Sequence, residues 1–168
     1  MNIYILRHGL AGDRDSKKYP DDADRPLTSE GEDKLWKVTK AMKNLGLKFD
    51  VILSSPYVRT RQTAEIVAEA FEAKKKLELT ETLEPDGNQG ELIKFLNHRN
   101  GLESPLLVGH EPYLSALISI LISGDRHSSV TMKKGGLCKL SADSLKYGRC
   151  ASLGWLFTPK QMAVIAKA

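Results

Sequence analysis

Short apolar runs that alternate with helix-like segments constrain the fold of this chain most strongly. Residues 2–6, 51–53 and 105–108 are rich in Val, Ile and Leu, and each run is soon followed by Gly, Ser or Pro. Brief apolar runs of this kind are typical of strands that are buried on both faces of a sheet. The segments between them have apolar residues at helical spacing. The alternation predicts an α/β fold with a largely parallel sheet flanked by helices.

The other elements are predicted from local signals. A helix begins at Thr28 or Ser29, where Ser29 and Glu32 have the spacing of a capping box, and it ends before Gly46. Residues 10–27 are polar and predict a long loop, of the kind that is often functional. A second helix opens at Ser54 and buries one stripe of apolar side chains: Ile66, Val67, Ala70 and Phe71. Another helix begins at Pro112 and buries a similar stripe: Leu114, Leu117, Ile118 and Leu121. The other predicted elements are a weak strand over 77–82, a short helix over 91–97, strand material within 129–142, and a last helix from Thr158 and Pro159.

Composition describes an ordinary globular protein. The chain has 168 residues, of which 41% are hydrophobic and 27% charged, and its formal net charge is +4. This length predicts one domain over residues 1–168, and the composition excludes disordered, collagen-like and disulfide-rich chains. The small positive charge favours a local anion site over a nucleic-acid groove, which needs a basic stripe.

Localisation is predicted from the cysteines and the apolar segments. Cys138 and Cys150 cannot build a disulfide framework and lack the spacing of metal ligands. Arg7 and His8 interrupt the N-terminal apolar run too early for a signal peptide. The longest apolar stretch, residues 114–122, is too short to span a bilayer. We therefore expect a cytoplasmic protein with reduced thiols and with no membrane or nucleic-acid partner.

Four basic side chains follow the three predicted strands. Arg7 and His8 end the first strand, Arg59 lies in the opening turns of the helix after the second, and His110 follows the third. Ligands of open parallel sheets bind at the carboxyl ends of the strands. We therefore expect these four residues to meet in one pocket.

Two arginines and two histidines in one pocket are suited to an oxyanion. The arginine fork matches phosphate oxygens, and helix N-termini add amide donors. A neutral histidine can attack phosphorus, and the arginines can stabilise the transition state. The set predicts phosphoryl transfer through a phosphohistidine. No metal is expected, because His8 and His110 lie on separate segments without an accompanying carboxylate pattern.

Four segments in chain order resemble those of the histidine phosphatase superfamily, the phosphoglycerate-mutase-like proteins. They are Arg7-His8-Gly9, residues 26–31 (PLTSEG), residues 54–65 (SSPYVRTRQTAE) and residues 109–112 (GHEP). One short motif is weak evidence, whereas four in order are specific. The resemblance implies a three-layer sandwich without a cofactor, in which His8 is the phosphorylated nucleophile and Arg7, Arg59 and His110 bind the phosphoryl group. Arg61 does not match the second catalytic arginine of the superfamily.

Within the superfamily, the chain is most similar to the SixA-type protein phosphohistidine phosphatases. The similarity rests on the small size, on residues 83–88 (LEPDGN) and on residues 153–159 (LGWLFTP). Only one weak strand and one short helix separate the Arg59 helix from His110, so no lid insertion is expected. A shallow pocket would admit a phosphorylated side chain on a protein surface, whereas small metabolites are usually engulfed.

The proton donor is left open by the resemblance. Many members carry a glutamate after the third strand, where this chain has Pro85 between Glu84 and Asp86, and the SixA-like pattern often has an acidic residue where this chain has Asn88. An imidazole leaving group needs less protonation by a general acid than an alkoxide does. The lack of an assigned acid therefore favours phosphohistidine as the substrate. Two alternatives remain: a small-molecule phosphomonoesterase that uses the same site, and a non-catalytic phosphate-binding regulatory module.

Overall fold

The centre of the computed structural model is a mixed sheet of six strands. The structure describes residues 1–15 and 17–168, and residue 16, within the loop predicted over residues 10–27, lies outside the described residues. The strands are β1 (Asn2–Arg7), β2 (Ile52–Ser54), β3 (Leu77–Leu79), β4 (Leu106–Gly109), β5 (Leu137–Ser141) and β6 (Ser152–Phe157). In space, β3, β2, β4 and β1 are parallel neighbours, and β5 and β6 extend the sheet antiparallel beyond β1.

Helices cover both faces of the sheet, which confirms the predicted three-layer α/β arrangement. On β1, Tyr4 and Leu6 pack into one buried cluster, while Ile3 and Ile5 pack into the other, because successive strand side chains point to opposite faces. The helices are α1 (Ser29–Asn44), α2 (Val58–Ala70), α3 (Gln89–Asn97), α4 (Tyr113–Ser123) and α5 (Pro159–Ile165). The cluster that contains Tyr4 and Leu6 includes residues of α1, α2 and α5, and the cluster that contains Ile3 and Ile5 includes residues of α3 and α4.

Helix α1 begins at Ser29 as predicted, but the Ser29–Glu32 capping box and, apart from Val67, the predicted buried stripe of α2 are wrong. The cap of α1 is Thr28, whose side chain accepts the Gly31 amide, and Ser29 is already helical. Helix α2 begins at Val58, and the predicted stripe residues Ile66, Ala70 and Phe71 are only half-buried. The buried face of α2 consists mainly of small side chains, so a stripe of large apolar residues does not mark it: Arg59, Thr60, Thr63, Ala64, Val67 and Ala68.

The long loop is anchored where it meets α1. The Thr28 amide donates to the Leu10 carbonyl across 3.0 Å, and Ala11 forms an isolated bridge with Leu27. A Cβ on Gly31 would collide with the same Leu10 carbonyl, so only glycine permits this close approach. These contacts hold both ends of the loop beside the carboxyl end of β1.

Two structural features relate to the predicted cellular localisation: the state of the cysteines and the length of the apolar helices. Cys138 and Cys150 are both free thiols. Among the helices of residues 1–15 and 17–168, none combines the length and the apolar character that a membrane span requires.

Candidate active site

Neighbouring strands bring the predicted site residues to one edge of the sheet. In the parallel register, Arg7 lies opposite Gly109, and Ser54 lies opposite Val108. The His8 amide then donates to the Gly109 carbonyl across 3.1 Å. The segments that follow β1, β2 and β4 therefore start side by side.

A cavity of about 320 Å³ opens at this edge. Arg7, His8, Arg59 and His110 all line it. The sequence placed these four residues in one pocket, and the structure brings them together. The other lining residues come mostly from the long loop: Leu10, Ala11, Gly12, Asp13, Arg14, Arg25, Pro85, Glu111 and Lys134.

His8 is a buried, neutral imidazole. The residue is only 5% exposed, and its Nδ1 is 2.7 Å from the Gly9 carbonyl oxygen. Because a carbonyl can only accept, Nδ1 carries the proton and Nε2 keeps its lone pair. Burial lowers the pKa of His8 to about 3, the Gly9 hydrogen bond opposes that shift, and the charges of Arg59 and Arg7 add to it. Neutral Nε2 is therefore available as a nucleophile at ordinary pH.

His110 lies beside His8, with 5.4 Å between the ring centroids. It is 2% exposed, and its Nε2 is 2.9 Å from the Ser55 hydroxyl oxygen. Burial, followed by the charges of the neighbouring His8 and Arg59, lowers the pKa of His110 to about 3. Within the described part of the chain, its buried Nδ1 has no hydrogen-bond partner. An unpaired buried polar atom costs about 1–3 kcal/mol, so this atom is suited to a bound ligand.

Arg59 and Arg7 are held by their terminal nitrogens. Arg59 is 3% exposed and donates to the carbonyl and the carboxylate of Asp22 across 2.6 and 2.8 Å. Arg7 donates to the Met132 carbonyl across 2.7 Å. Burial lowers the pKa of both guanidinium groups, and the nearby carboxylates, Asp22 for Arg59 and Glu111 for Arg7, oppose that shift. The Nε atoms of both arginines are buried without a partner among the described residues, which leaves donors for an anion.

Three residues that line or support the site, Asp22, Arg25 and Lys134, are not among the site residues predicted from the sequence. Arg25 is buried, and its Nε donates to the Asp22 carboxylate across 3.0 Å, so one carboxylate joins Arg25 and Arg59. Lys134 lines the cavity, and burial together with Arg7 and Arg25 lowers its pKa. For Arg25, the one signal in the sequence that could have indicated a place in the site is that it directly precedes the family-like motif that starts at Pro26. The concentration of positive charge favours an anionic ligand.

Comparisons with known proteins agree with this geometry. A family model of the histidine phosphatase superfamily (branch 1) matches residues 3–84. An uncharacterized protein of Picosynechococcus sp. is 35% identical over 148 residues, which cover 87% of this chain and 88% of the relative. The chain belongs to the histidine phosphatase superfamily.

A sequence relative and a solved structure that match this chain both carry the name SixA. The phosphohistidine phosphatase SixA of Escherichia coli (strain K12) is 28% identical over 127 residues, or 74% of this chain and 76% of that protein. The structure of the protein histidine phosphatase SixA complexed with tungstate matches with a TM-score of 0.81 at 25% identity, over 95% of this chain and 98% of that one. The predicted likeness to SixA-type members is confirmed, and together with the family it identifies the chain as a phosphatase, a hydrolase.

The pocket of this superfamily member has a wall that the sequence analysis did not expect. As expected, the segment between α2 and β4 holds only β3, α3 and short 3-10 turns. The two histidines that line the cavity are nevertheless buried, and the loop after β1 contributes Leu10 to Arg14 and Arg25 to the same lining. The prediction of a shallow pocket rested on the missing lid insertion and left the placement of this loop open, because that placement depends on contacts between residues distant in sequence.

The candidate proton donors lie off the cavity. Pro85 lines it, whereas neither Glu84 nor Asp86 is among its lining residues in the described structure. Burial raises the pKa of Glu84, and the charges of Glu81 and Asp86 raise it further. Arg61 lies on the exposed face of α2 and pairs with Glu65 at 3.6 Å, away from Arg59. Across the described residues, no group of three or more His, Cys, Asp or Glu side chains is placed to hold a metal ion.

Proposed function

We propose that this protein hydrolyses phosphohistidine on another protein through a phosphoenzyme intermediate at His8. The observation that carries the proposal is the neutral His8 imidazole, whose Nδ1 is committed to the Gly9 carbonyl while Nε2 keeps its lone pair. It lines a cavity that also contains the side chains of Arg7 and Arg59. The name of the SixA relative from Escherichia coli supports the same substrate class.

In the first step, the Nε2 lone pair of His8 forms a bond to phosphorus while the bond from phosphorus to the substrate imidazole breaks. The departing imidazole takes up a proton from solvent. In the second step, water attacks phosphorus and loses one proton to solvent, the bond from phosphorus to Nε2 breaks, and its electron pair returns to Nε2 as phosphate leaves. Both steps pass through a transition state that needs mainly positioning and charge stabilisation.

The arginines supply that stabilisation. Arg7 and Arg59 are fixed by hydrogen bonds to Met132 and Asp22, and each retains a buried Nε donor. Fixed donors need no reorganisation as charge moves to the phosphoryl oxygens, and one such donor is worth about 10²–10³-fold in rate. The same donors would hold free phosphate or another oxyanion.

A protein substrate fits the surroundings of the cavity. The interval between α2 and β4 adds no lid, so the rim stays accessible to a phosphorylated side chain. Arg14, whose side chain is 82% exposed, and Lys134 lie in the cavity lining and would attract an acidic partner. We assign the reaction to the cytoplasm because both cysteines are free thiols.

The test is a side-by-side measurement of kcat/KM for phosphohistidine proteins and for common small phosphomonoesters, at two ionic strengths. We expect a much larger kcat/KM for a phosphohistidine protein, and a stronger loss of that rate when salt screens the rim charges. A small ester that matches every phosphohistidine protein would select the phosphomonoesterase alternative. No turnover of either class, with oxyanion binding retained, would select the regulatory module.

A further inference from the structure

We propose that Ser55 is a positioning residue that fixes the tautomer of His110, so that Nδ1 of His110 presents a proton to the phosphoryl oxygens. This inference rests on the proposed function of the site. It concerns a serine that precedes α2 and that no step of the mechanism above uses.

The Ser55 side chain is held in place by its own backbone. Its residue is fully buried, at 0% exposure, and its amide donates to the Val108 carbonyl across 3.1 Å. Its carbonyl accepts hydrogen bonds from the hydroxyls of Ser54 and Thr60, at 2.8 and 3.1 Å. Ser55 is therefore tied both to β4, which leads to His110, and to the start of α2.

The proton of the Ser55 hydroxyl has one evident destination. The hydroxyl oxygen accepts the Tyr57 amide at 3.3 Å and lies 2.9 Å from Nε2 of His110. A hydroxyl carries one proton, and leaving it unpaired in a buried place is unfavourable. If Nε2 of His110 were protonated, both contacts would donate to Ser55 and its own proton would be left without an acceptor. Donation from Ser55 to Nε2 satisfies both groups.

The tautomer of His110 follows from this direction. A neutral imidazole carries one N–H, and with Nε2 accepting, that N–H is at Nδ1. Nδ1 is the buried atom without a partner in the described structure. The doubly protonated ring is disfavoured by burial and by the nearby His8 and Arg59. A phosphoryl oxygen would accept from Nδ1–H, whereas the opposite tautomer would turn a lone pair toward the anion.

The first measurement needs no variant. Nitrogen-15 NMR of the histidine rings in the resting protein distinguishes a protonated ring nitrogen from an unprotonated one. We expect Nδ1 of His110 to be protonated and Nε2 to be unprotonated at neutral pH. A resting protein with the proton on Nε2 of His110 would overturn the proposal whatever its activity.

The second measurement compares Ser55→Ala with Ser54→Ala. Ser54 is equally buried and is its neighbour, but its hydroxyl donates to the Ser55 carbonyl rather than to His110. We expect Ser55→Ala to move His110 toward the Nε2–H form and to lower kcat about tenfold, the size of one neutral hydrogen bond. Ser54→Ala should keep the wild-type tautomer, and Ser55→Thr, which keeps the hydroxyl, should restore it.

The outcomes separate this inference from the proposed function. Equal tautomer populations in Ser55→Ala and wild type, with both proteins folded by circular dichroism, would contradict the role of Ser55. If His8 accepts no phosphoryl group from any substrate, the proposed function is wrong. The NMR measurement on the resting protein still decides the tautomer of His110, because it does not depend on phosphoryl transfer. Tungstate affinity, measured in the same three variants, should fall only in Ser55→Ala.

Discussion

Arg59 on α2 and Asp22 in the loop after β1 are joined by two hydrogen bonds, one to the Asp22 carbonyl and one to its carboxylate. Both terminal nitrogens of Arg59 are thereby directed to the loop, while Nε stays free of protein partners in the described chain. The same Asp22 carboxylate accepts from Arg25. The orientation of the anion donors thus depends on a loop that contributes no proposed nucleophile.

Replacing Asp22 with asparagine tests this dependence. The amide keeps the shape of the side chain but loses the negative charge that pairs with Arg59 and Arg25, so both arginines lose their fixed orientation. We expect Asp22→Asn to lower kcat/KM about tenfold, in line with the weakening of one charge-assisted hydrogen bond. Asp24→Asn is the control, because Asp24 is exposed on the same turn. Equal activity of the two variants would show that Asp22 does not orient the arginines.

The two arginines of α2 offer a matched pair for the anion site. Arg59 lines the cavity, whereas Arg61 lies on the exposed face and pairs with Glu65. Arg59→Ala should lower kcat on the order of 10²-fold or more, comparable to losing one preorganised donor. Arg61→Ala should leave kcat close to wild type, because an exposed pair of this kind contributes little. An Arg61 effect as large as that of Arg59 would refute the assignment.

The depressed pKa values of the two histidines predict how the protein responds to acid. His8 and His110 have pKa values of about 3 in the folded protein, against an ordinary value of 6.5. Between these values the unfolded chain binds more protons than the folded one. The stability associated with the neutral rings is therefore complete above about pH 6.5 and is lost as the pH falls toward 3.

NMR titration checks this directly. The ring signals of His8 and His110 should stay constant from pH 8 to pH 5. Over the same interval, the free energy of unfolding, measured with denaturant, should fall more for wild type than for His8→Asn. The asparagine does not titrate, so it removes one of the two contributions. A titration midpoint near 6.5 for His8 would mean that the ring is not held neutral.

Strand ends were enough to predict the central site from sequence. Arg7, His8, Arg59 and His110 each follow a short buried strand, and parallel pairing of β1, β2 and β4 brings them together. Their catalytic roles stay predictions. The helix pattern gave the position of α4 and its buried residues, because its stripe is made of large apolar side chains.

The parts that escaped prediction depend on contacts between distant residues. Asp22 pairs with Arg59 across 37 positions of sequence, and nothing local distinguishes it from Asp21 or Asp24. The buried face of α2 was misassigned because Thr and Ala allow close packing without an apolar stripe. Strand β6 was missed because Gly154 interrupts its apolar residues, and a register shift lies opposite in β5.

Removal of metal ions should leave the reaction unchanged. The proposed mechanism assigns the stabilisation of charge to Arg7 and Arg59 and the nucleophile to His8, so no step needs a cation. Protein dialysed against a chelator should hydrolyse its substrate at the rate of untreated protein. A loss of activity that added divalent metal restores would contradict the mechanism.

The transfer of labelled phosphoryl groups from a phosphohistidine protein to this protein tests the central claim most directly. Wild type, mixed rapidly with the labelled donor and quenched in base, should carry an acid-labile, base-stable label that maps to His8, and His8→Ala should carry none. The predicted result is label on His8 followed by release of phosphate. Label on serine, aspartate or cysteine, or near-normal turnover by His8→Ala, would contradict it.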